Sequence, residues 1–272
     1  MGNGRWALRG VVLLYLAILI GLPLVFMVFK ALEHGFGPFW TQLTQPGAMG
    51  ALKLSLEVAA IAVPVNAIVG VGAAMLIARH NFFGKRAFDT AFDIPVAVSP
   101  VILGVALILA YSRIGWFGGP LLRAGIMVLF SPLGVVLATM AVSLPYVLRS
   151  IVPVLLEVGT DQEEAARTLG AGRFRTFFNV TLPSIRWAVA YGITLTIART
   201  LGEFGAVLVV SGNISGRTQT FPIFIYDDWD QRFDTLGAYA GALVLALISM
   251  AVLLILALLR KRERKLRVDL AY

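Results

Sequence analysis

Few residues in this 272-residue chain could do chemistry. It has no cysteine and only two histidines, His34 and His80, which excludes disulfides and thiolate reactions. No group of His, Asp and Glu has metal-ligand spacing, and no nucleophile falls beside a base and an acid. We therefore expect no catalytic residue and no metal site. The glycine-rich phosphate loop that ends in Lys-Ser or Lys-Thr is also absent, so ATP hydrolysis is not expected of this chain. What remains is charge placed inside long apolar runs. Arg199 and Glu203 stand at i,i+4, as do Lys53 and Glu57. Charges at membrane depth are costly and tend to face a bundle interior. For Arg199 and Glu203 two readings are open. They are either an ion pair that fixes packing, or a site where Arg199 adds positive potential along an anion path and Glu203 holds it in place. Ser99 with Pro100, and Gly202 with Gly205, either line a narrow path or allow close helix packing. Asp93 is expected to cap a helix at a span end.

The second feature is the polar segment 157–186, EVGTDQEEAARTLGAGRFRTFFNVTLPSIR. Thr160 followed three residues later by Glu163 reads as a capping box, so a helix should begin there and run through Leu169. Gly170 is placed to end it. A second short helix would carry Phe174, Phe177 and Phe178 on one face, and Pro183 would mark a turn into the next apolar run. Such a two-faced helical knob either docks into a groove on a partner or lies on a membrane surface.

The elements that must position these residues are membrane spans. The chain is 58% hydrophobic and only 14% charged, where a soluble domain carries about 25% charged residues. Six apolar runs, near 10–29, 53–77, 94–111, 133–156, 188–210 and 236–259, each approach the roughly 20 residues a helical span requires. The first run is expected to be a retained helix rather than a cleaved signal. Alternating strand periodicity is absent, so the fold class is an all-α integral membrane protein with about six transmembrane helices. Apolar sequence at 123–136 suggests a short interfacial helix or re-entrant piece, and FPIFIY at 221–226 is too short to cross. The net charge of +8 is gathered at the ends of the runs, which is a membrane pattern and not a nucleic-acid one. With the N-terminus inside, sixteen of the 23 basic residues fall on the inner side, so both termini are expected in the cytoplasm. Pro23, Pro64, Pro95, Pro100, Pro145 and Pro153 should bend their helices. The expected division is 1–50 for the N-terminal end, first helix and outer loop, 51–260 for the core transmembrane domain with its cytoplasmic loop 157–186, and 261–272 for a basic cytoplasmic tail.

The loop is similar to the signature loop of ABC importer permeases: Glu-Ala-Ala, a glycine four residues on, an aliphatic residue, then Leu-Pro. Here these are Glu164, Ala165, Ala166, Gly170, Val180, Leu182 and Pro183, with Val180 where the family usually has Ile. The resemblance implies a type I importer-like bundle in which this loop is a coupling helix that inserts into an ATP-binding subunit. Along most of its length the chain resembles the W-type permeases of bacterial sulfate/thiosulfate importers, which are related to molybdate permeases. This is seen in IAVPVN (61–66), DIPVAVSPV (93–101), LPSIRWAVAYG (182–192) and ARTLGEFGAVLVVSGNISGRT (198–218). The resemblance implies a permease subunit in the bacterial inner membrane. Its partners would be two cytosolic ATPases that carry the ATP and Mg, a second permease of the T/U type, and an extracytoplasmic sulfate-binding protein. No cofactor is implied for this chain itself. A molybdate or tungstate permease is the alternative, and an ion-coupled secondary transporter is the rival of another class. That rival often contains repeated halves, and no clear repeat is present.

Overall fold

The computed structural model describes the backbone of residues 3–269 and the side chains of 8–258. The side chains of Arg5 and of the basic tail residues Arg260 to Arg267 lie outside the described residues. All regular structure in the described residues is helical. α1 (Asn3–Leu16) passes through a π-turn at Ala17–Gly21 into α2 (Leu22–Leu32). Then come α3 (Phe36–Thr44), α4 (Pro46–Arg79), α5 (Lys85–Ala91), α6 (Ile94–Ala97), α7 (Pro100–Tyr111) and α8 (Gly118–Arg123). They are followed by α9 (Pro132–Val158), α10 (Asp161–Thr168) and α11 (Arg173–Thr176). A second π-turn, Phe177–Thr181, leads into α12 (Leu182–Leu201) and α13 (Gly205–Ser211), then α14 (Phe221–Asp230) and α15 (Thr235–Asp269).

Four stretches are continuous helices long and apolar enough to cross a bilayer: Leu8–Leu32, α4, α9 and Thr235–Leu258. The remaining two expected spans are broken. Lys85–Ala97 meets α7 at a bend of 115°, and Arg173–Leu201 meets α13 at 54°. Counting each bent pair as one span gives six. The first break has a plain cause. Pro100 disfavours helical backbone at the residue before it, and Val98 and Ser99 are both extended. The second break has no proline. Gly202 closes α12, and Phe204 leaves helical geometry.

The prolines behave unevenly. Pro64, Pro145 and Pro153 lie inside unbroken helices. Pro23 and Pro183 each stand two residues beyond a π-turn, so the wider turn takes up the missing N–H and the ring. The chain therefore does not turn at Pro183, as expected from sequence, but continues as one helix through it.

The centre is the packing of α4, α9 and α12. Ala73, Ala74 and Ile77 of α4 meet Leu148, Ile151 and Leu155 of α9 and Ile185 and Ala188 of α12. Small residues bring the backbones close, as interhelical contacts in membranes require. A Cβ on Gly70 would lie 2.8 Å from the Val147 side chain, and one on Gly192 would lie 3.0 Å from Val147 Cα. Buried Asn66 donates from Nδ2 to Ser143 Oγ (2.8 Å) and Met140 O (3.1 Å), which cross-links α4 to α9. A second cluster joins α9 to α13 through Val135, Ala138, Val142, Ala206, Val207 and Val210.

At the end of the bundle away from α10, α8 is followed by irregular backbone at 124–131 in place of a second interfacial helix. There Phe130, at φ 57°, donates its N–H to Val210 O (3.1 Å). FPIFIY forms the first part of α14, which packs on α15 and α4 without crossing. Of the four nearby aspartates, two are buried. Asp227 accepts from Asn213 Nδ2 and Gln219 Nε2, and Asp228 pairs with Arg232 at 2.7 Å. Burial pushes the Asp228 carboxyl above the usual carboxylate range, against the pull of Arg232.

Candidate functional site

The loop 157–186 folds as the expected two-helix knob, with its acids arranged differently. α10 has Asp161, Glu163 and Glu164 in its first turn and Arg167 in its last, which suits the helix dipole at both ends. The capping box does not form. Thr160 Oγ1 donates to Glu164 Oε1 (2.8 Å), and Glu163 turns inward. Its Oε1 accepts from Arg79 Nε (3.1 Å) and Thr181 Oγ1 (3.0 Å). Glu163 thus exchanges a cap at an exposed helix start for buried, charge-assisted hydrogen bonding.

Gly170 ends α10 as expected. At φ +83° it sits in the left-handed region. Its N–H donates to Arg167 O (2.9 Å), and the N–H of Ala171 donates to Ala166 O (3.0 Å), the paired bonds of a Schellman cap. The cap leaves Leu169 88% exposed, while α11 and its π-turn leave Phe174 83% and Phe178 58% exposed. Phe177 instead tucks edge-on against Phe178, with ring centroids 5.0 Å apart, so the three phenylalanines do not share one outward face. Glu164, Ala165 and Gly170 face outward with this apolar rim, while Ala166 is half-buried. Val180 lies in the π-turn, and Leu182 and Pro183 open α12 behind it. Sequence reasoning missed Arg79, Glu163 and Thr181 as a unit.

The second candidate group lies where the two broken spans meet. A Cβ on Gly205 would contact Val101 (3.1 Å) and Pro100 (3.3 Å), and one on Gly104 would lie 2.8 Å from Ala206 O. The Ser99–Pro100 break thus packs against the start of α13. Arg199 Nη1 pairs with Glu203 Oε2 at 2.7 Å, and Glu203 Oε1 accepts the N–H of Ala206 (2.9 Å). Glu203 is buried and bridges the break between α12 and α13; Arg199 is half-buried. Ser99 is exposed at the head of α7 and makes no capping bond. Close packing is therefore visible at Gly205, whereas a Cβ on Gly202 would meet only Ala198 O of its own helix, at 3.5 Å. Lys53 and Glu57 form a loose exposed pair at 3.7 Å.

Asp93 does not cap α6. It takes Arg149 in a two-point bond (2.7 and 2.6 Å), and Asp89 joins the same guanidinium at 2.8 Å. This pins the α5–α6 segment to α9. All three side chains are a third or more exposed, so the cluster is screened. Arg149→Met is expected to cost about 1 kcal/mol, seen as a fall of roughly 2–4 °C in the melting midpoint of the purified protein. A fall above about 10 °C would mean that the cluster governs the core.

Among the described residues, no group of three or more His, Asp or Glu side chains is placed to hold a metal. Residues 66–265 match the family model of the binding-protein-dependent transport system inner membrane component. The chain is 45% identical over 257 residues to the sulfate transport system permease protein CysW of Synechococcus elongatus, covering 94% of this chain and 89% of that protein. It is 40% identical to CysW of Escherichia coli, covering 95% and 89%, and 34% identical to the sulfate transport system permease protein CysT of S. elongatus, covering 89% and 87%. The fold matches a bacterial alginate ABC transporter chain with a TM-score of 0.78 over 96% of both chains, at 17% identity. A membrane bundle with a protruding helical knob, matched by the family model from Asn66 into α15 and by these relatives over most of its length, belongs to the binding-protein-dependent transport system inner membrane component family.

Proposed function

We propose that this chain is the transmembrane permease subunit of an ATP-driven importer of sulfate and thiosulfate. The observation that carries the reading is the apolar-rimmed knob, standing on a bundle similar along nine-tenths of its length to proteins named sulfate permeases. The knob offers Leu169, Phe174 and Phe178 to a partner, and the chain has no phosphate loop of its own. Two cytosolic ATPase subunits docked on the knobs would supply the energy, and an extracytoplasmic binding protein would supply the anion. A knob that faces cytosolic ATPases puts both termini in the cytoplasm of a bacterial inner-membrane protein, in line with the basic residues.

The second permease in the complex is a T/U-type relative. S. elongatus supports this by having both a CysW and a CysT to which this chain is similar. The anion passes near the meeting of the two broken spans, since interrupted helices within a membrane are tolerated where they are buried in protein or face a cavity. There Arg199 supplies positive potential, Glu203 holds it, and Ser99 offers a hydroxyl.

The test is uptake by the full complex in liposomes. Labelled sulfate should accumulate only with ATP inside, and thiosulfate should compete for it. Uptake that follows an ion gradient without the ATPase would overturn the importer reading, and competition by molybdate or tungstate alone would overturn the substrate. Arg199→Gln is expected to lower uptake while the ATPase stays bound.

A further inference from the structure

The first helix of the knob, α10, has few anchors to the bundle. α10 has one buried residue, Glu163. It is flanked by two glycines at positive φ, Gly159 at 70° and Gly170 at 83°. Glu163 is the one side chain of α10 that turns into the bundle, so the direction of α10 rests on what Glu163 touches. Its partner is Arg79, the last residue of α4. Arg79 Nε donates to Glu163 Oε1 (3.1 Å), Nη1 to Leu155 O (2.8 Å), and Nη2 to Gly159 O (2.6 Å). Leu155 lies in the last turn of α9, where carbonyls have no partner within the helix. The same Glu163 oxygen accepts from Thr181 in the π-turn that leads into α12. One guanidinium and one carboxylate thus join the ends of α4 and α9, the first turn of α10 and the entry to α12. The side chains are 8% and 7% exposed.

We propose that Arg79 and Glu163 are positioning residues that clamp the knob to three spans, so that displacement of the knob moves the spans with it. The proposal rests on the importer reading above for what the motion does. A buried ion pair contributes little net stability, because desolvation offsets the attraction, but its geometry is specific. The charges also sit where backbone dipoles favour them: the cation at the C-terminal ends of α4 and α9, the carboxylate at the N-terminal turn of α10. The planar fork of arginine meets three separated acceptors with three different nitrogens, a spread that the three donors on lysine's one nitrogen do not reproduce. Close-packed interiors transmit displacement rather than absorb it, and Leu155 and Ile185 beside the clamp are fully buried in the core of α4, α9 and α12.

The test uses the complete complex in liposomes and measures sulfate taken up per ATP hydrolysed. Removing one charge alone would strand the other, so the main variant is the double R79M/E163Q. It is expected to bind the ATPase and hydrolyse ATP, with uptake per ATP reduced about tenfold, within the range by which coupled sites influence each other. R79K and T181V should fall between it and the unaltered protein. A merely structural role would lower the amount of complex and leave the ratio unchanged. An unchanged ratio in R79M/E163Q, or in R79K and T181V if the double variant does not assemble, overturns the clamp. Amide exchange of residues 161–168 in the complex gives a reading that does not depend on the anion. It should rise in the variants while that of the α9 centre stays constant, and an equal rate in all of them overturns the clamp as well. Failure of the unaltered complex to take up sulfate would overturn the substrate reading alone.

Discussion

Gly70→Leu is expected to lower the melting midpoint of the detergent-purified protein by about 6–12 °C, the effect of about 3 kcal/mol in a chain of this size. The reason is a blocked escape. A Cβ at position 70 falls 2.8 Å from both Cβ and Cγ1 of Val147, and 3.4 Å from the N of Leu148. Overpacked helices usually relax by moving apart. Here α9 has little room to move, because it is also packed against Gly192 of α12, whose own Cβ would lie 3.0 Å from Val147 Cα and 3.2 Å from Ser150 Cβ. The control is Gly72→Leu, two residues along the same helix, where an added Cβ meets nothing within 4 Å. It should leave the midpoint unchanged or raise it slightly through better helix propensity. Val147→Ala combined with Gly70→Leu should rescue only in part, since it removes Cγ1 and keeps the clashing Cβ. Equal midpoints for the two leucine variants would mean that α4 and α9 do not pack this closely in the folded protein.

That contact shows where sequence reasoning reached its limit. The spans were legible because a run of about twenty apolar residues has few other uses in a chain with so little charge. Gly70 and Gly192 were not singled out, because a glycine within an apolar run looks the same whether it faces lipid, like Gly72, or a neighbouring backbone. The broken spans were half legible. The prolines at 95 and 100 were visible, but a proline in a membrane helix is compatible with a kink, as well as with unbroken helix at 145 and a full break at 100. At Glu203 the proline signal is absent, and the charged pair Arg199 and Glu203 is compatible with a continuous helix as well as with a break. The knob was legible as a unit because Gly170 and the change to polar sequence are local signals. The division of labour between Glu163 and Glu164 was not. The two acids are adjacent and chemically equivalent, and what separates them is Arg79, 84 residues away. Local rules gave Glu163 a cap, and tertiary placement gave it an ion pair instead.

Phe174→Ser together with Leu169→Ser is expected to strip the ATPase from the purified complex, and this is the largest effect we expect on function. Both side chains stand almost wholly in solvent, an unusual place for residues of this size outside a binding surface. Burying each in a partner's groove would contribute about 1.5–3 kcal/mol, so losing both would weaken the association at least about a hundredfold. Retention of the ATPase on affinity-purified complex reads this directly. Gly170→Val separates the shape of the knob from its chemistry. Its added side chain meets open space, so it blocks nothing within this chain. It does force a β-branched residue to φ +83°, a conformation that costs an L-residue about 1–2 kcal/mol or more. The Schellman bonds that aim Leu169 should then open, and ATPase retention should fall with the apolar residues all still present. Gly170→Asn tolerates that backbone and should retain the ATPase nearly as well as glycine. If the valine and asparagine variants behave alike, direction is unimportant and the knob is only a greasy patch. If the double serine variant keeps its ATPase while losing affinity for lipid vesicles, the knob lies on the membrane surface. Its apolar rim would then have the other of the two uses that an amphipathic loop of this composition allows.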